Sequence, residues 1–193
     1  RFGRTVDRML RAAGHATVVI DADHATVSRM RAVGFGAYYG DVERPDLLEA
    51  AGIAQARTLV IAIDDRAKSV ALARFVRREH PGVRIVARAR DFQHALEFAY
   101  LGVEETVREV FDGALRAGRR ALEALGHAEP EIELLARALR AHDRELGAAL
   151  AAVWDRRTPL DSSAAYGAKV REFDQQVEAL CRRGAGEDGT PPG

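Results

Sequence analysis

A single cysteine, Cys181, stands in the 193 residues. The chain therefore has no disulfide of its own and suits a reducing compartment. Its six histidines are scattered. With no His-x-x-x-His or Cys-x-x-Cys spacing among them, a metal site is not expected. Neither sign of charge is in excess: 29 Lys and Arg face 29 Asp and Glu. Bulk charge thus gives no support to a nucleic-acid or membrane-surface role. No apolar run approaches the ~20 residues of a membrane span, and no signal peptide is recognisable. Nucleophile elbow and Ser-x-x-Lys are both missing, as is a carboxylate pair in a separate substrate domain, so binding without turnover is the expectation. What remains is a globular composition, 47% apolar and 30% charged, long enough for one good core plus an appendage.

The first half alternates between two periodicities. A helix over 5–13, with Val6, Met9, Leu10 and Ala13 on one face, leads to a buried strand 17–21. A helix near 24–33 and a short strand in "GAYYGD" follow. Helix 45–51, strand 58–63, helix 65–79, strand 83–89 and helix 91–101 complete the series. Strands separated by helices of this length imply right-handed crossovers and a parallel sheet. The class is α/β, a Rossmann-like doubly wound sheet, here expected to lack its first strand because the sequence opens on a helix.

From about 107 no further strand is expected. Phe111, Leu115, Leu122 and Leu125 fall at helical spacing, as do Ile132, Leu135, Leu139, Leu146, Leu150 and Val153. Tyr166, Val170, Phe173, Val177 and Leu180 mark a third stripe. Such stripes need a partner, either the chain's own sheet or a second copy of the chain. The expected division is a nucleotide-binding domain over 1–106, a helical dimerisation arm over 107–183 and a disordered tail over 184–193.

An open parallel sheet binds ligands beyond the carboxyl ends of its strands. Asp21 ends the first strand seen, where an acid accepts hydrogen bonds from adenosine ribose hydroxyls. Gly3 precedes it by 18 residues, close to the spacing between a phosphate-binding glycine loop and the ribose acid. Gly3 then reads as the last glycine of G-x-G-x-x-G, with the helix behind it pointing its N-terminus at phosphate. A capping or turn role for Asp21 is the alternative. Asp41 is placed to accept from an adenine amino group or to cap the next helix. Backbone at Ala62 and Ile63 touches the ligand, and Asp64 and Asp65 cap the helix beyond. Arg88 and Arg90 share a strand face with Arg84. They form either a basic strip for an anionic ligand or a solvated edge paired with acids such as Asp91.

Together "RFGR", "VVIDAD", "YYGDVERPDLLEAAGI", "AIDD", "HPGVRIVARARDFQHA", "LGVEETVRE" and "FDGALRAGRRALEALG" resemble the cytoplasmic KTN, or RCK N-terminal, regulatory domain of Kef-type glutathione-gated potassium efflux systems, over residues 1–157. The resemblance implies AMP or NAD(H) at Gly3, Asp21, Asp41 and Ala62–Ile63, and a homodimer formed through the helices. It implies a transmembrane cation:proton antiporter domain in the same chain and a place on the cytoplasmic side of the inner membrane. It further implies glutathione at the dimer interface, held by two arginines and an asparagine. The matching positions are Arg8, Arg108 and Asp143. An aspartate at 143 cannot donate to a glutathione carboxylate and repels it. Other readings of the same fold are a fragment of an NAD-dependent dehydrogenase, or a subunit of a Trk-type or channel-type potassium system.

Overall fold

The computed structural model describes residues 2–153 and 164–184. The tail beyond 184 and positions 154–163 of the expected arm lie outside the described residues. The chain divides into two compact units, Arg1–Arg108 and Glu109–Gly193.

The first unit runs α1 (Phe2–Ala12), β1 (Val19–Asp21), α2 (His24–Ala32), β2 (Ala37–Tyr39), α3 (Pro45–Ala50), a 3-10 turn (Ile53–Gln55), β3 (Thr58–Ile61), α4 (Arg66–Glu79), β4 (Arg84–Ala89), α5 (Phe92–Tyr100) and β5 (Glu105–Arg108). All strand pairs are parallel. β1 pairs with β2, and β3, β4 and β5 form a second sheet in that order. Among the described residues no strand hydrogen-bonds β1 to β3. Ile20 of β1 and Val42 beyond β2 still pack on the main core of Ile61, Leu72, Ala73, Val76, Ile85, Ala87, Ala89 and Phe98.

Aspartates at strand exits start three of the helices. Asp23 accepts from the amides of Ala25 and Thr26, Asp65 from Lys68 and Asp91 from His94. Each satisfies orphan donors in a helix's first turn and opposes its positive end. Asp65 is thus a cap as expected, whereas Asp64 is not. α4 and α5 lie side by side, joined by Arg66 and Glu97 at 2.9 Å and by a buried contact between Ser69 and His94. The His94 Nδ1 accepts from the Arg90 amide at 3.3 Å. Its Nε2 therefore carries the proton and donates to Ser69 Oγ at 2.9 Å, while that hydroxyl donates to the Arg66 carbonyl. Burial keeps the ring neutral, pushing its pKa down.

Several expectations change. β5 forms at 105–108, whereas the sequence pattern predicts no strand past 107. Its "ETVR" carries two charges and no long apolar run, and it becomes a strand because β4 offers it a ladder. β1 starts at Val19 rather than Thr17, because Thr17 is taken by α1. Its hydroxyl donates to Asp7 at 2.5 Å, and its carbonyl accepts from Arg11 at 3.2 Å. That also shifts the expected face of α1: Val6 and Leu10 stay half-buried, but Asp7 is the buried residue, Ala13 is exposed and Met9 is 77% exposed.

The second unit contains α6 (Glu109–Ala124), α7 (Glu129–Val153) and α8 (Ala164–Gly184). The stripes of α6 and α7 meet each other, which neither expectation for them includes. Phe111, Leu115 and Leu122 face Ile132, Leu135 and Leu139 across a groove of about 270 Å³. Leu125, counted in the first stripe, is 76% exposed instead. Among the described residues no helix is long and apolar enough to cross a membrane.

The ladder between β4 and β5 is pinned by Glu104. Its carboxylate pairs with Arg77 and accepts from the Ile85 amide at 2.9 Å. The Arg77 guanidinium first, and the amide second, hold its pKa down to about 2 from an ordinary 4.5. The folded state therefore binds fewer protons than the unfolded state between pH 4.5 and 2, and stability falls as pH drops through that window. Glu104→Gln should flatten this acid limb in pH-dependent thermal unfolding and lower stability at neutral pH by roughly 1 kcal/mol, a figure already reduced for water screening. An acid limb unchanged by the substitution contradicts the assignment.

Candidate functional site

All three strands of the larger sheet point their carboxyl ends the same way, and α1 begins beside one of them. A Cβ placed on Gly3 would lie 3.3 Å from the Ala62 Cβ, so the first turn of α1 rests on the exit of β3. The ring of Phe2 lies 5.4 Å from the Arg88 Cζ at the exit of β4. Arg88 in turn pairs with Asp64, two residues beyond Ala62. One place therefore gathers Gly3, Ala62 and Arg88, which the sequence assigns to a ligand by separate arguments. α1 has no acidic residue in its first turn, so no side chain of that turn offsets the helix's positive end, which favours an anion.

Arg88 and Arg90 do not make a strip with Arg84. Arg84 pairs with Thr58 at the start of β3, six residues upstream of Arg90 and so about 20 Å away along an extended strand. The side chain of Arg88 is only 10% exposed, so it is not part of a solvated edge, but it does pair with an acid, Asp64, as that alternative expects. Arg90 is exposed and lies near enough to Asp64 to help hold that carboxyl's pKa down, after the larger effect of Arg88.

Asp21 ends β1 opposite Tyr39 of β2. It does not cap α2, since Asp23 does that. Its Oδ1 accepts from the Asp23 amide at 2.8 Å, which is the turn role of the alternative reading and fixes the carboxylate at the strand end. Among the described residues its Oδ2 takes no hydrogen bond. The Gly40 amide donates to the Asp21 carbonyl at 3.2 Å. Gly40 has φ 155°, and a Cβ there would fall 2.8 Å from Leu47 Cδ2, so the β2 exit needs a glycine. Tyr39 meets His24 edge-on at 5.4 Å between ring centroids. Sequence reasoning misses these two rings beside Asp21 because β2 and α2 are brought together only by the fold.

Asp41 is more committed than its sequence position suggests. One oxygen accepts from the Glu43 amide at 3.1 Å, and the other accepts from Lys68 Nζ at 2.8 Å. Lys68 also reaches Glu43 at 3.1 Å. The lysine contact, then the amide, pulls the Asp41 pKa below the usual carboxylate range. Lys68 itself, 27 residues away in sequence, carries no signal that could flag it. Ile63 packs on the main core, which leaves its backbone as the part able to meet a ligand.

The three residues matched to a glutathione site fall on different elements. Arg8 is exposed on α1. Arg108 ends β5, with its guanidinium 5.1 Å from the Phe92 ring centre. Glu104, four residues before Arg108, serves Arg77 and Ile85 instead. Asp143 is half-buried on α7 in the second unit. Its neighbour Arg140 reaches Asp112 at 3.8 Å.

Comparison with known proteins agrees with this organisation. Residues 1–109 match the TrkA-N domain, and residues 113–189 match the potassium efflux system KefB C-terminal domain. The glutathione-regulated potassium-efflux system protein KefC of Cronobacter sakazakii is 41% identical over 146 residues, covering 76% of this chain and 24% of that protein. Its counterpart from Escherichia coli O139:H28 is 44% identical over 126 residues, 65% of this chain and 20% of that protein. The chain thus spans a fifth to a quarter of the length of these curated relatives. Among solved structures, the Shewanella denitrificans Kef CTD in AMP bound form superposes with a TM-score of 0.74 at 37% identity, covering 80% of this chain and 94% of that one. The chain belongs to the TrkA-N family, in the Kef-type branch where that domain is followed by a KefB C-terminal domain.

Proposed function

We propose that this chain is the regulatory ligand-binding part of a potassium efflux/proton antiporter and takes an adenine nucleotide, AMP or NAD(H), at the carboxyl ends of its strands. The observation that carries the reading is the convergence of the α1 first turn, the β3 exit at Ala62 and the Arg88 guanidinium, with the Asp21 carboxylate fixed at the end of β1. In this reading phosphate meets the helix end and Arg88. The Asp21 Oδ2 accepts from ribose hydroxyls, and the backbone of Ala62 and Ile63 lines the floor. Asp41 faces the adenine side through its contact with Lys68 rather than as a bare acceptor. The similar Kef CTD of Shewanella denitrificans is in an AMP bound form, which supports the ligand class. No residue is assigned a catalytic role. Nucleotide occupancy biases the conformation passed to the transmembrane transport unit of the same polypeptide, with the regulatory part on the cytoplasmic side of the inner membrane.

The partner in this proposal is a second copy. Val110, Ala114, Ala117 and Ala121 of α6 and Leu125 just past its end recur at helical spacing, and all five are exposed, Val110 by 69% and Leu125 by 76%. Small residues between two large apolar ones allow close helix approach. Glutathione is the second ligand, with Arg8 and Arg108 as its bidentate cations.

Asp21→Ala should weaken AMP and NADH binding by about 1.5–3 kcal/mol, the scale of a hydrogen bond to a charged acceptor. Isothermal titration calorimetry reads this directly, and unchanged affinity removes Asp21 from the site.

Glutathione gives a separate test. The parent should bind it weakly, and Asp143→Asn should bind it tighter by about 1–2 kcal/mol, the gain from replacing a repelling carboxylate with a donor. Arg8→Ala should abolish that binding. If Asp143→Asn binds no better than the parent, position 143 lies outside the site. If Arg8→Ala also changes nothing, nucleotide alone remains as the regulator.

A further inference from the structure

Three aspartates crowd the exits of β3 and β4, and two of them are committed to helices. Asp65 accepts from the Lys68 amide at 2.9 Å, and Asp91 accepts from the His94 amide at 2.8 Å. Asp64 is different. Its carboxylate is 93% exposed, yet it is bonded to a guanidinium that is only 10% exposed. An exposed carboxylate is well solvated without a partner, whereas a cation held nine-tenths out of water needs an anion beside it. The pair therefore exists for Arg88. The surroundings are positive from several directions: Arg88, the exposed Arg90, and the first turn of α1, which holds no acid of its own and whose Phe2 ring lies over Arg88.

We propose that Asp64 is a built-in anion that occupies the Arg88 guanidinium when the nucleotide site is empty and is displaced from it by the phosphate of the bound nucleotide. The inference rests on the nucleotide reading above and adds a competition to it. A phosphate monoester brings up to two negative charges and three acceptor oxygens, so it outcompetes a single carboxylate for the guanidinium. Asp64 gives way readily because its side chain lies almost wholly in water, where it rehydrates on leaving. The consequence is a threshold. Arg88 is kept ordered and ready, but weak anions at low concentration do not capture it, since each must first displace an acid tethered two residues from Ala62.

The test is calorimetric titration of the chain with AMP, with adenosine and with inorganic phosphate, in the parent and in Asp64→Asn. Asp64→Ser guards against any adverse effect peculiar to the amide. AMP should bind both variants roughly three- to tenfold tighter than it binds the parent, the range set by removing one partly screened competing charge. Inorganic phosphate should gain in the same direction. Adenosine, which has no phosphate, should bind all three proteins equally and so also reports that the variants are folded. AMP affinity that is unchanged or weaker in both variants overturns the competition while leaving the nucleotide reading intact. An equal gain for adenosine also overturns it, because Asp64 would then act on the nucleoside. If neither AMP nor adenosine binds the parent or the variants, the nucleotide reading itself fails, and the competition falls with it.

Discussion

The contact on which the site depends is the approach of α1 to the end of β3, where residue 3 has no side chain. An alanine there would bring its methyl to 3.3 Å from the Ala62 Cβ, inside the ~3.5–4.0 Å at which carbon atoms gain attraction. With glycine, the first turn of the helix comes down on the strand exit. Its unsatisfied amides then share a small volume with Arg88, Asp64 and the backbone after Ile61. Moving the helix outward by even an ångström would separate the two positive features, the helix end and the guanidinium, that make the place attractive to phosphate. The half-buried network of Asp7, Arg11 and Thr17 ties the other end of α1 to the segment that leads into β1. Its setting is thus fixed at both ends.

Local chemistry makes much of this legible in the sequence. Alternating helical and strand periods point to the parallel α/β class, and Asp65 reads as a helix cap from its place after a strand; the caps at Asp23 and Asp91 appear only in the structure, where Asp91 holds the His94 amide instead of serving as the acid partner expected for the arginines. The run Val18-Val19-Ile20 places Asp21 at a strand end. The features that escape are those made by residues far apart in the chain. β5 is four residues long with a charge at each end, and only the β4 ladder makes it a strand. Arg88 and Asp64, or Lys68 and Asp41, are separated by 24 and 27 residues. No periodicity links them. Met9 is apolar and reads as part of a buried face, but the fold buries Asp7 instead by giving that acid two partners.

The two units divide the chemistry between them. The first unit holds the strand exits and hence the polar, charge-bearing groups that a nucleotide needs. The second is built on an apolar seam, with Ile132, Ala136 and Leu150 almost wholly buried. Its outer face on α6 is lined with alanines. That division matches the family boundary, where a TrkA-N domain ends at 109 and a KefB C-terminal domain begins at 113. Under the proposed function, the sheet supplies the site to be occupied, and the helical unit that follows it in the chain supplies the apolar face offered to a second copy.

The central claim is that the nucleotide lies at the carboxyl ends of the strands against the start of α1. Amide hydrogen exchange with and without AMP tests it most directly. The account predicts slowed exchange at Gly3, Arg4 and Thr5, at Ala22, and at Ile63 and Asp64, with the opposite end of the sheet at Arg57 and Arg84 unchanged. Protection confined to Arg57 and Arg84, or to the helices from Glu109 onward, would contradict it.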